Sequence, residues 1–315
     1  MKVRSLIIAA FASAAWAAQV QASCGSTFCS VNTNWGTQGV WTEPGLRLDL
    51  RAEYIDQDQP RSGTTDLGVG EVARDHDEVR TVNRNWLATF DYTISQDWGL
   101  NVSVPVVDRH HEHIHHESGT AVSETWDFTE LGDVRVLGRY QRGVEGNGTA
   151  GVQFGLKLPT GRYHVTNADG ELAERTLQPG TGTTDLAIGA YYHRDRLADL
   201  SSWFLQGLYQ LPLAERDDFK PGYRLSFDLG LRYDLGRKLG AVLQLNTQVK
   251  GRDSGAAAEP QDSGKTLVSL SPGLAYALTR TTQIYGFVQI PIYEHVNGVQ
   301  LTADGALAVG ISTRL

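Results

Sequence analysis

Sulfur is scarce in this 315-residue sequence: its only methionine is Met1, and its only cysteines are Cys24 and Cys29. Met1 falls within the export signal, so no thioether ligands for copper(I) remain. Long apolar runs are missing as well. No segment reaches 18 consecutive apolar residues, so no transmembrane helix is expected. Basic residues are outnumbered, 28 against 36 acidic ones, for a formal net charge of −8. An acidic chain lacks the basic surface that nucleic-acid binding requires, so no nucleic-acid partner is expected. Catalytic signatures are also wanting. There is no Gly-x-Ser-x-Gly, and the pattern around the histidines is not that of a His-Glu-x-x-His metal helix. No Ser-bearing motif stands beside the scattered His76, His164, His193 or His295. An enzyme is therefore not expected.

What is present begins with an export signal. Lys2 and Arg4 precede an Ala-rich apolar stretch, Leu6 to Ala18, and Val20-Gln21-Ala22 forms a small-residue cleavage site before Ser23. Residues 1–22 read as a secretory signal peptide. Removing Lys2 and Arg4 with it takes the net charge from −8 to −10. In an oxidising compartment Cys24 and Cys29, within CGSTFC, are expected to pair as a small local disulfide. The segment 23–44 also holds Trp35 and Trp41. It lies either inside a barrel as a plug or free in the periplasm.

From residue 45 onward the dominant signal is alternation. A strand with different environments on its two faces repeats every second residue. In 222–235, Leu225, Phe227, Leu229, Leu231 and Tyr233 oppose Arg224, Ser226, Asp228, Arg232 and Asp234. The stretches 45–56, 149–158 and 238–250 alternate likewise. With 81–95, 98–107, 131–142, 183–193, 202–212, 265–278, 281–291 and 303–315 they make twelve candidate strands, each about 10–14 residues, long enough to cross a bilayer when tilted. Connections alternate long and short: 57–80, 108–130, 159–182 and 251–264 are long, whereas 95–97, Gly236-Arg237 and Thr279-Arg280 are tight. Long external loops and short periplasmic turns give this order in outer-membrane barrels. In lipid, a spanning sheet must close on itself to pair its backbone. Residues 45–315 are therefore expected to form an all-β, antiparallel up-and-down transmembrane barrel of about twelve strands in the bacterial outer membrane. Its expected partners are outer-membrane lipid, lipopolysaccharide and the barrel-assembly machinery.

Several short motifs suggest a family. Gly155-Leu156-Lys157-Leu158-Pro159-Thr160-Gly161 runs from a strand into a long loop, and Gly180-Thr181-Gly182-Thr183-Thr184-Asp185-Leu186 opens the next strand. Trp126-Asp127-Phe128 and Leu131-Gly132-Asp133-Val134 precede the fourth strand. On these the chain resembles the outer-membrane proteins grouped as the MetA-pathway-of-phenol-degradation or "transporter" family. The resemblance implies movement of small, often aromatic, compounds across the outer membrane. One departure is the terminal Arg314-Leu315, where such barrels usually end in an aromatic residue.

Alternation places a mixed-charge set in the lumen: Arg47, Asp49, Arg51, Glu53, Asp91, Asp133, Arg135, Arg139, Lys157, Asp185, Arg224, Asp228 and Arg232. These residues either set selectivity in a narrow passage or brace the barrel through salt bridges. A second feature is the run from Asp108 to Glu117, with His110, His111, His113, His115 and His116. Imidazoles at this density are candidate ligands for zinc, nickel or copper(II), and no other cofactor is required. His76, Asp77 and Glu78 lie in the first long loop, where they can meet the histidines at the barrel mouth. Three functions follow from the sequence. The first is a channel or transporter for a small solute. The second is a metal-binding outer-membrane component using an external His-rich loop. The third is a structural barrel without conductance.

Overall fold

Period-two alternation holds a flat wall only if each face finds its own solvent, and β1 (Gly45–Gln57) shows how it does so. Arg47, Asp49, Arg51 and Glu53 are buried toward the interior, while Leu50 and Tyr54 on the opposite face are exposed. The computed structural model describes residues 31–74, 76–117, 120–197 and 200–315. The expected signal peptide, Cys24 and Cys29 lie outside the described residues, as does Asp75.

Fourteen further strands follow: β2 (Gln59–Gly63), β3 (Thr65–Asp66), β4 (His76–Thr93), β5 (Trp98–Glu117), β6 (Thr120–Leu131), β7 (Arg135–Val144), β8 (Gly148–Lys157), β9 (Asp185–Leu197), β10 (Leu200–Pro212), β11 (Arg224–Asp234), β12 (Leu239–Lys250), β13 (Lys265–Ala277), β14 (Thr282–Thr302) and β15 (Ala306–Arg314). Twelve of the fifteen form a closed antiparallel barrel, in the order β1, β4, β5, β7 to β15. β15 closes it against β1, from Arg47 opposite Arg314 to Ile55 opposite Ala306. Closure leaves no spanning edge, which is the condition for placing a sheet in lipid.

The outside of the barrel carries the apolar side chains. Leu225, Phe227, Leu231 and Tyr233 are exposed on β11, and Ile284, Val288, Ile290 and Ile292 on β14. Exposed large apolar groups around a whole wall would aggregate in water; in a bilayer they are solvated by acyl chains. Aromatic side chains mark the rims, with Tyr92, Trp98 and Tyr233 at one end and Tyr54, Trp86 and Tyr293 at the other. Beyond Trp86 and Val106 the outward positions turn polar, with Arg84 beside Asp108 at 3.6 Å. That is where the external membrane surface lies. Short turns cluster at the other, periplasmic end.

Three stretches that the sequence reads as loops belong to strands instead. β4 begins at His76 rather than at 81, β5 continues through the histidines to Glu117, and β14 runs on to Thr302. Strand four starts at Arg135, not at 131, because Thr120–Leu131 forms the separate strand β6 paired with upper β5. Above the membrane both faces of a strand meet polar surroundings, so the apolar alternation stops while the backbone ladder continues. A bulge between Glu78 and Arg80 shifts the pairing. Below it the buried face carries Thr81, Asn83 and Asn85; above it, His76 and Glu78.

Candidate functional site

The lumen is built from the polar face of every strand, and residues 31–41 lie against it. Asn32 donates its backbone N–H to Gln244 Oε1 (2.9 Å) and its side-chain amide to Asp228 Oδ2 (3.1 Å). Trp35 Nε1–H donates to Asp49 Oδ2 at 3.1 Å, and its ring packs edge-on to Tyr285 at 5.0 Å. Arg51 donates to Val31 O (3.0 Å) and Thr33 Oγ1 (2.8 Å), and Arg47 to Val40 O and Trp41 O. Thr37 bonds Gln206 Oε1 at 2.7 Å. Val31 and Trp35 join Ile55, Val242, Tyr285, Phe287 and Ala308 in a small apolar cluster inside the barrel. A buried polar wall must have its hydrogen bonds satisfied, and this segment supplies many of the partners.

The candidate lumen charges fall into three groups. Arg47, Asp49, Arg51 and Asp228 contact the N-terminal segment directly. Asp91 and Arg139 pair with each other at 3.4 Å, and Arg232 pairs with Asp234 at 3.1 Å at the periplasmic rim. Asp133, Arg135, Lys157, Asp185 and Arg224 line an open cavity of about 280 Å³ in the outer half of the lumen, and Glu53 lies beside it on Arg51. Its walls include Arg51, Arg135, Lys157 and Arg224 together with Asp133, Asp185 and Asp228. Asn32, Thr33 and Asn34 line its inner side, and Gln178, Pro179 and Thr181 its outer side. Lys157 is neutralised by Asp133 (2.8 Å) and Asp185 (3.3 Å), and Arg51 by Glu53 (2.7 Å). Arg135 makes no ion pair among the described residues, and its Nε, like that of Arg51, is buried without a hydrogen-bond partner.

The loop over the cavity is fixed by the motif residues. Asp133 accepts from the Gly161 N–H (3.0 Å), the Thr181 N–H (2.9 Å) and Thr181 Oγ1 (2.9 Å). A Cβ on Gly180 would fall 2.6 Å from the Gly161 carbonyl, so the two backbones pack too closely for a side chain. Arg109, fully buried, reaches Leu177 O at 2.5 Å and pulls the loop onto β5. Sequence reasoning missed Arg109, which alternation alone would have placed inward.

The five candidate metal histidines do not form one site. His110 bonds Asp127 at 2.7 Å, His116 bonds Asp77 at 2.7 Å, and His115 sits half-buried opposite His76. Residues 111–115 have the letters of a His-Glu-x-x-His motif, but in a strand their end histidines stand about 13 Å apart. Of the five only His111 and His113 are buried. They meet His76, Glu78 and Glu174, the last from the loop between β8 and β9. Glu174 carried no signal in the sequence, because nothing local marks a loop carboxylate that returns to a strand.

Among solved structures, the chain is similar to the COG4313 outer membrane channel from Pseudomonas putida F1, at 12% identity over 87% of this chain and 96% of that one, with a TM-score of 0.65. It is more distantly similar to the NanC porin, at 11% identity over 85% and 100% with a TM-score of 0.49. It is also similar to the CymD monoaromatic hydrocarbon channel, at 8% identity over 90% and 94% with a TM-score of 0.41. No curated protein sequence matches. The family described as "Putative MetA-pathway of phenol degradation" matches residues 32–296, most of the barrel, and the chain belongs to that family.

Proposed function

We propose that this barrel is a channel for a small solute carrying an anionic group, aromatic in line with the family's description, and that residues 31–41 narrow its passage. The observation that carries this reading is the outer cavity, where Arg51, Arg135 and Arg224 line one space and Arg135 has no hydrogen bond to its Nε. A guanidinium without an ion pair in a confined space favours a carboxylate, which it can bind through two parallel hydrogen bonds. The cavity volume of about 280 Å³ is near the lower end for ligand pockets, which suits one small molecule. Leu87, Leu137 and Leu208 in the same wall offer an apolar side to a ring. Lipopolysaccharide and the barrel-assembly machinery are proposed partners on the strength of the fold class alone.

Planar-bilayer recording in a KCl gradient tests the charge. Anion preference is expected, and it should fall toward zero in Arg135→Gln. Proteoliposomes should swell faster in benzoate than in benzylammonium at equal osmolarity. A cation preference would refute the anionic solute. A silent bilayer with no swelling would favour the structural barrel instead.

A further inference from the structure

Outside the membrane, the inward face of the β4–β5 extension is roofed by the loop 158–184 and approached by the loop 251–264. A ligand atom from each of His76, His113 and Glu174 lies within 4.8 Å of the other two. His76 Nε2 is 3.2 Å from Glu174 Oε1, and the three side chains are 1%, 7% and 6% exposed. His111 adjoins them, with its ring 5.6 Å from that of His113.

The hydrogen bonding of this cluster does not close. Both Glu174 carboxylate oxygens, His113 Nδ1, His111 Nε2 and Glu259 Oε2 are buried without a hydrogen-bond partner. Buried groups of this kind ordinarily find one. The carboxylates also crowd each other. Glu174, Glu78 and Asp262 all stand near Glu259. Arg74 offsets part of the charge through Asp262, at 2.5 Å. Meanwhile the second nitrogen of His113 is already committed: Nε2 bonds Glu124 Oε2 at 2.9 Å. A carboxylate holding the far nitrogen of an imidazole fixes its tautomer and leaves the near nitrogen as a lone pair, which is how metal-bound histidines are oriented.

We propose that His76, His113 and Glu174 bind one divalent transition cation of the zinc class, oriented by Glu124 and neighboured by His111 and Glu78. Two imidazoles and a carboxylate form a donor set that zinc accepts, with a fourth position open to water or a further carboxylate. Soft sulfur ligands are absent, so copper(I) is not favoured. The ion ties the loop 158–184, through Glu174, to the two strands that carry the histidines. It therefore sets the height of the roof over the lumen.

The test uses the whole chain, purified in detergent without a polyhistidine tag and stripped with EDTA. Calorimetric titration with zinc should give one ion per chain, and cobalt(II) should develop visible ligand-field bands. His76→Asn and Glu174→Gln should each weaken zinc binding by about tenfold or more, the scale on which metal sites respond to loss of a supporting group. His110→Ser and His116→Ser, whose side chains pair elsewhere, should leave affinity unchanged. Heat-modifiable gel migration verifies that each variant remains a folded barrel. The proposal is overturned if the wild type shows no cobalt bands, or if affinity follows His110 and His116 rather than His76 and Glu174.

Discussion

Asp133 is where single-residue chemistry has the longest reach in this protein. Its carboxylate accepts from two backbone amides, one hydroxyl and the Lys157 ammonium. Hydrogen bonds to a charged group contribute about 1.5–3 kcal/mol each. Asp133→Ala should therefore loosen the loop 158–184, speeding amide hydrogen exchange over residues 161–181 by about tenfold or more while β11 and β12 keep their protection. Unaltered exchange in the loop would show that other contacts hold it. The motif letters around Asp133, Gly161 and Gly180 were all legible in the sequence. Their meeting was not, because the bonded partners Gly161 and Thr181 lie 28 and 48 residues from Asp133 along the chain. Local spacing carries no record of such a return.

Among the elements, the spanning strands were readable because lipid outside and a polar lumen inside impose opposite demands on alternate residues. The extensions of β4, β5 and β14 were not, since above the membrane that contrast disappears. The histidine run is the clearest case. It looked like a loop by composition, yet each histidine from 110 to 116 is paired across to β6 through its backbone. The bulge at Val79 was equally hidden, although it sets which face of β4 carries His76 and Glu78. The N-terminal segment makes its own prediction. Because residues 31–41 hydrogen-bond to the lumen walls on β1, β10, β11 and β12, deleting them should raise single-channel conductance severalfold with the barrel still folded. An unchanged conductance would place the constriction elsewhere, with the outer cavity and its roof the next candidate.

Across the molecule as a whole, the barrel has two unlike ends, and this polarity can be read on intact cells. Gly170 lies in the outer loop and Gly236 in a tight turn at the opposite end; a Cβ at either position would meet no atom within 4 Å. Small epitope tags inserted there should be tolerated. A tag at Gly170 should bind antibody on whole cells, and one at Gly236 only after the outer membrane is permeabilised. Surface labelling at Gly236 would invert the topology.

The pairing of β1 with β15 has a consequence for how such a wall can come into existence. Arg47 and Arg314 are register partners, so the last ladder joins strands from nearly opposite ends of the chain. Contacts this remote in sequence are slow to find one another. Until they do, β1 and β15 are raw edges, and in hydrocarbon each unpaired backbone group costs several kcal/mol. A barrel of eleven strands is thus not a slightly weaker barrel but a species with no stable place in the bilayer. Removing Ala306–Arg314 would not shorten the protein's life by degrees; it would leave a chain that cannot finish inserting and is exposed to aggregation while it waits.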